Sequence, residues 1–103
     1  MSDSAPESYH VTYSGRVRQR LVALAKTARD RGDGPEFIAA LEEFDRRLRV
    51  YPQFGDPQSD LTREPGQVRI GIIPPLTMRY AVFEERRQVT VMALPILLRK
   101  SQS

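Results

Sequence analysis

The sequence predicts an α+β fold in which one strand and two amphipathic helices precede a three-strand meander, the helices packing on one face of the sheet. Three observations carry this expectation. From Val68 to Val91 apolar residues return with the period of two that marks half-buried strands. Two upstream segments instead repeat apolar residues at spacings of three and four, the signature of a helix with one buried stripe. A length of 103 residues supports one modest core, and nothing in the chain suggests a second domain.

Each element has its own justification. Residues 1–8, MSDSAPES, lack the charged and apolar regions of a signal peptide and read as a disordered lead-in to a single domain over 9–98. Residues 9–13, YHVTY, are rich in β-formers and predict the first strand. Ser14 suits an N-cap, and Val17, Leu21, Leu24 and Ala28 then form a helical stripe to about Arg31. Gly32, Asp33 and Gly34 stop that helix. Pro35 and Glu36 fit the first turn of a second, where a missing N–H costs nothing and a carboxylate meets the positive end of the dipole. Its stripe is Phe37, Leu41, Phe44 and Leu48, supported by Ile38, and Pro52 ends it. Residues 52–65, punctuated by prolines and glycine, read as a loop that is ordered only through docking of Phe54 and Leu61. Residues 99–103 read as a tail.

Strand register follows from alternation. Val68, Ile70 and Ile72 share one face and Arg69 points to the other, while Met78, Tyr80 and Val82 oppose Thr77, Arg79 and Ala81. A three-residue loop, Pro74 to Leu76, would join the two apolar sets on one face and bring Arg69 and Arg79 together on the opposite one. A turn at residues 84–87 sets Val82 against Val89, Tyr80 against Val91 and Met78 against Ala93. The expected core is therefore Val68, Ile70, Ile72, Met78, Tyr80, Val82, Val89 and Val91 beneath Leu21, Leu24, Leu41, Phe44 and Leu48. Arg69, Arg79, Thr90 and Met92 are left on the open face.

Composition narrows the function. Sixteen basic residues against thirteen acidic give a net charge of +3, and fourteen of the sixteen are arginine, whose planar fork matches phosphate and carboxylate. The same excess is also what an arginine-rich coding bias would leave. With no cysteine, disulfides and thiolate metal sites are ruled out, as suits a reducing cytosol. No apolar run nears the ~20 residues that span a bilayer, so the expectation is a soluble cytoplasmic protein without a membrane partner. No glycine-rich phosphate loop or histidine pair is present, and His10 is isolated, so neither metal nor cofactor is expected.

The order strand, helix, helix, meander, together with YHVTYSGRVRQRL, VRIGI and RYAVFEERRQVTVMAL, resembles the RelE/ParE family of toxins from bacterial type II toxin–antitoxin, or plasmid stabilisation, systems. The resemblance covers residues 9–98. It implies two helices on one face of a mostly antiparallel sheet, a concave basic site on the other, and a cognate antitoxin as partner. In the RelE branch such a site is an mRNA interferase: it cuts ribosome-bound mRNA without metal, a 2′-hydroxyl attacking the adjacent phosphate while cations stabilise the developing charge. The ParE branch inhibits DNA gyrase and needs no such chemistry.

Carried over by residue, the resemblance places Arg69 at the family's second-strand arginine. The third-strand arginine falls at Thr77, with Arg79 two residues further on the same face. The candidate catalytic residues are therefore Arg69 and Arg79, and the candidate phosphate or RNA contacts are Thr77, Arg99 and Lys100. The C-terminal ALPILLRKSQS has neither tyrosine nor histidine, and Arg99 and Lys100 move protons poorly at neutral pH, so RNA cleavage is expected to be weak or absent.

Plainer roles compete for each residue. Arg69 can pair with Glu84 or Asp60, Arg79 can simply be solvated, and Tyr80 reads as packing. His10 reads as an ordinary strand residue, Glu84 and Glu85 as turn residues, and Arg16, Arg18 and Arg20 as either a basic patch or a solvated helix face. Three readings result: a toxin, a degenerate relative that binds RNA or protein without cutting, and an unrelated α+β interaction domain. The sequence leaves the oligomeric state open.

Overall fold

The computed structural model describes residues 8–60, 66–92 and 96–97, with side chains for all of these but 59, 60, 96 and 97. In chain order the elements are β1 (His10–Tyr13), α1 (Gly15–Asp30), α2 (Gly34–Val50), β2 (Asp56–Asp60), β3 (Gln67–Ile73), β4 (Leu76–Phe83), β5 (Gln88–Val91) and β6 (Ile96–Leu97). Short 3-10 turns lie at Pro52–Phe54 and Glu84–Arg86. The sheet order is β1-β5-β4-β3-β2, and β6 runs beside the start of β4. Only the β1–β5 pairing is parallel. The α+β class, the two helices and the mostly antiparallel sheet stand as expected.

Both helices form where their stripes predict. The Ser14 hydroxyl accepts the Val17 N–H at 3.1 Å, and Val17, Leu21, Leu24 and Ala28 are buried. Gly32, at φ +84, makes the left-handed step into α2 that a side chain would resist. In α2 the buried stripe is Phe37, Ala40, Phe44 and Leu48. Ala40 takes the place expected of Ile38, which is 46% exposed, and Leu41 is only partly buried. The helical period explains both: Ile38 lies about 100° around the axis from Phe37, and Leu41 lies on the flank of the stripe.

The β3–β4 register departs from expectation. Pro74 and Pro75 alone form the turn, so Ile73 opposes Leu76, Gly71 opposes Met78, Arg69 opposes Tyr80 and Gln67 opposes Val82. A slip of one residue reverses every side chain of a strand. Arg69 therefore shares the helix-covered face with Met78, Tyr80 and Val82, while Val68, Ile70 and Ile72 share the far face with Arg79. The expected core placement of those three residues is overturned, although Val68 is buried on the far face beside its cross-strand neighbour Ala81.

Two packing facts account for the register. Leu76, expected in the loop, is fully buried and opens β4. Gly71 leaves the underside of β3 empty, and Phe44 and Phe54 fill it, for a Cβ there would stand 2.9 Å from each ring. The underside of β3 is thus packed by rings from other elements. The β4–β5 hairpin keeps its expected register, with Val82 against Val89 and Tyr80 against Val91. Ala93, like Leu61, lies outside the described residues.

Within the expected loop, the segment 52–60 is more ordered than a loop. Its 3-10 turn leads into β2, which pairs antiparallel with β3 through an irregularity between Pro57 and Ser59. Phe54 docks as expected, edge-on to Phe44 at 5.7 Å and stacked on Tyr80 at 6.0 Å.

Candidate functional site

Arg69 is a structural residue. Its Nη1 donates to the carbonyl oxygens of Gln53, at 2.9 Å, and of Gly55. Among the described residues its partners are the backbone of the turn between α2 and β2, and not Glu84; the side chain of Asp60 lies outside those described. Beside it the Tyr80 hydroxyl donates to Pro52 O at 2.6 Å and accepts from the Gly55 N–H at 3.1 Å. A buried turn must satisfy its polar backbone groups, and this cross-strand pair satisfies four of them. Burial, working against the Gly55 hydrogen bond and the nearby Arg69 charge, pushes the Tyr80 hydroxyl up to about 12, far from use in proton transfer at neutral pH.

Arg79 lies where expected, exposed on the open face. One row across the sheet runs Asp56, Ile70, Arg79, Met92: Asp56 opposes Ile70, Ile70 opposes Arg79, and the Met92 N–H donates to Arg79 O at 2.9 Å. Beyond Ile70 on the same face of β3 stands Ile72, 54% exposed, and Met92 is 48% exposed. Among the described residues this row is therefore an apolar surface around the Arg79 guanidinium, with the Asp56 carboxylate at its β2 end. The pairing of Arg69 with Arg79 on this face, expected from a three-residue loop, is not formed.

The remaining candidates divide. Thr77 sits on the open side of β4 but is 7% exposed, and its hydroxyl has no hydrogen-bond partner among the described residues, so it presents little to a phosphate. Arg99 and Lys100 lie outside the described residues. His10 is exposed at the β1 edge, opposite Gln88 and away from the Arg79 row. Tyr80 packs as read from the sequence. Glu84 serves the turn region, accepting from the Gln53 side chain at 2.9 Å. Among the described residues no group of three metal-ligating side chains occurs.

Sequence reasoning missed Ile72 as a surface residue. Alternation groups Ile70 and Ile72 with Val68 but does not say which face the helices cover; Gly71 was the available hint that its own face of β3, shared with Arg69, lies against bulky groups.

A recess lies between the helices and β1, lined by Tyr13, Arg18, Leu21, Leu41, Glu42 and Asp45. Tyr13 Oη donates to Asp45 Oδ1 at 2.7 Å, and Arg49 holds the same carboxylate at 2.8 Å. Burial opposes ionisation of Asp45, but the hydrogen bonds from Arg49 and Tyr13 outweigh it and hold the carboxyl below its ordinary range. Burial first, then Asp45, drives the Tyr13 hydroxyl well above its ordinary value. These groups are mutually satisfied and tie β1 to α2.

Chemically, the open face can hold an apolar segment and one carboxylate or phosphate. Among the described residues it has no paired acid and base. Comparison of the chain with protein-family models, with curated proteins and with solved structures returns no match.

Proposed function

We propose that this chain is a RelE/ParE-type toxin of a bacterial type II toxin–antitoxin system, one that binds its target without cutting RNA. A cognate antitoxin, laid across the open sheet face, neutralises it. The element order and the helices on one face of a mostly antiparallel sheet support the toxin reading. The observation that carries the non-cleaving form is the position of Arg69: its guanidinium is spent on the carbonyls of Gln53 and Gly55, on the side of the sheet away from Arg79. Cleavage by a 2′-hydroxyl needs several donors converging on the phosphate and a group to move the proton. Arg79 alone supplies one donor and no base. What Ile72, Met92 and Arg79 offer together is a surface for a partner segment with apolar side chains and an acid.

The test is induced expression with and without the neighbouring reading frame. Growth arrest, its relief by the neighbour, and co-purification of the two products are expected. Ile72→Glu, at an exposed position, should weaken co-purification while leaving the unfolding transition in place. Unimpeded growth together with failure to co-purify with either adjacent gene product would overturn the proposal.

A further inference from the structure

Helix α1 carries Arg16, Arg18, Arg20, Lys26 and Arg29 against the single acid Asp30. Its net charge of +4 exceeds the +3 of the whole chain, so the other residues together sum to −1. All five cations are exposed. The two helices treat their arginines in opposite ways. On α2, Arg46 and Arg47 are held by Glu43 and Arg49 by Asp45. On α1, Arg16, Arg18, Lys26 and Arg29 make no ion pair among the described residues.

Folding does not favour this arrangement. The first turn of a helix is its positive end and prefers carboxylates. Accordingly α2 has Glu36 in its first turn and Arg47 and Arg49 in its last, whereas α1 has no acid in its first turn and begins with Arg16 and Arg18. Charges placed against the dipole and left unpaired are understandable if something outside the chain meets them.

The helical period sorts the arginines into two rails. About the buried stripe of Val17, Leu21, Leu24 and Ala28, Arg18 and Arg29 lie along one flank and Arg16 and Arg20 along the other, with Lys26 on the outward line between them. Beside Lys26 the small or uncharged Gln19 and Ala23 are exposed, and the acid Asp30 stands at the far end of the helix. Among the described residues Val22, 71% exposed, is the one large apolar side chain on this outer face. An acidic peptide needs apolar anchors as well as charge to be held, whereas a phosphate backbone needs the charge alone.

We propose that the outer face of α1 is an RNA-binding surface that grips the phosphates of structured RNA independently of sequence. The wide, shallow minor groove of A-form RNA can receive a convex helix with a phosphate strand along each rail, and its 2′-hydroxyls give the Gln19 amide partners that DNA lacks. The site is separate from the sheet face assigned above to the antitoxin, and RNA binding here does not depend on the chain being a toxin.

The probe is a fluorescent RNA duplex of mixed sequence and about 16 base pairs, with anisotropy followed from about 50 to about 200 mM salt. Wild type should bind with steep salt dependence. The quadruple variant Arg16→Gln, Arg18→Gln, Lys26→Gln, Arg29→Gln should bind at least about tenfold more weakly, with a salt slope shallower by about 3. Glutamine keeps helix propensity, and an unchanged far-ultraviolet dichroism spectrum shows that the variant is folded. Arg46→Gln, on the exposed side of α2, should bind like wild type. The proposal is overturned if wild type fails to bind, if the quadruple variant retains full affinity, if a DNA duplex of the same sequence binds as well, or if poly-glutamate displaces the RNA at lower charge concentration than unlabelled RNA does. Growth arrest is not read in this experiment, so its outcome is distinguishable from that of the toxin proposal.

Discussion

Arg69 and Tyr80 stand opposite each other on β3 and β4 and divide between them the backbone of the turn beneath, Tyr80 taking Pro52 O and the Gly55 N–H while Arg69 takes Gln53 O and Gly55 O. An arginine in an apolar strand is thus the device that fastens α2 to β2. Arg69→Ala should destabilise the fold by about 1–3 kcal/mol, because two partly buried carbonyls lose a charged donor. Arg79→Ala, at an exposed site, should stay within about 0.5 kcal/mol of wild type. Urea unfolding of the two variants compares them directly, and equal effects would contradict the assignment.

The same turn sets the tolerance of two glycines. A Cβ on Gly55 would lie 2.4 Å from Tyr80 Oη and 2.8 Å from Ile70 O, and one on Gly71 would meet the Phe44 and Phe54 rings at 2.9 Å. Alanine at Gly55 has backbone on one side and cannot be relieved by side-chain motion alone. Gly55→Ala and Gly71→Ala should each cost roughly 1–3 kcal/mol by overpacking. Gly15→Ala, where nothing lies within 4 Å of the added carbon, serves as the neutral control in thermal unfolding.

Core contributions on α2 should follow burial. Phe44 is fully buried and touches Phe54, while Leu41 is only partly covered at the rim of the recess beside β1. Phe44→Ala should cost about 3–5 kcal/mol. Leu41→Ala should cost less than the roughly 2–5 kcal/mol that a fully buried leucine would give. Denaturant midpoints at constant slope separate them.

Much of this fold was legible in the sequence. Ser14, the α1 stripe, Gly32, Pro35 and the β4–β5 hairpin announce themselves through local chemistry, each decided by residues within a turn or two of one another. The β3–β4 register was not legible, because it is decided by Leu76 entering the core and by rings from Phe44 and Phe54 lying under Gly71. Both are long-range packing facts. The β2 strand was hidden for a related reason: Pro57 and the irregularity next to it suit an edge strand, but the bare sequence DPQSD has no apolar alternation to reveal it. Arg79 was found on the face expected. Arg69 was not, since alternation groups residues on a face without saying which face is covered.

The Tyr80 hydroxyl gives stability a dependence on alkaline pH. Its folded value is raised from 10.0 to about 12, so the neutral form is favoured in the folded state. Its contribution is complete below the unfolded value and is lost as pH rises through the folded one. Stability should therefore fall between about pH 10 and about pH 12, and Tyr80→Phe, less stable at neutral pH, should fall less steeply over that window. Chemical unfolding at stepped pH checks the sign, and a steeper fall in the variant would contradict it.

Arg69 serves the fold, and the proposed role of the open face is to bind without cutting RNA. The most direct measurement is translation-coupled mRNA cleavage by the purified protein, set beside an active RelE-type enzyme, with wild type, Arg69→Gln and Arg79→Gln compared at temperatures where all three are folded. No cleavage above background is expected for any of them, with wild type still arresting growth when expressed. Robust cleavage by wild type that disappears in folded Arg69→Gln would contradict the account and make Arg69 catalytic.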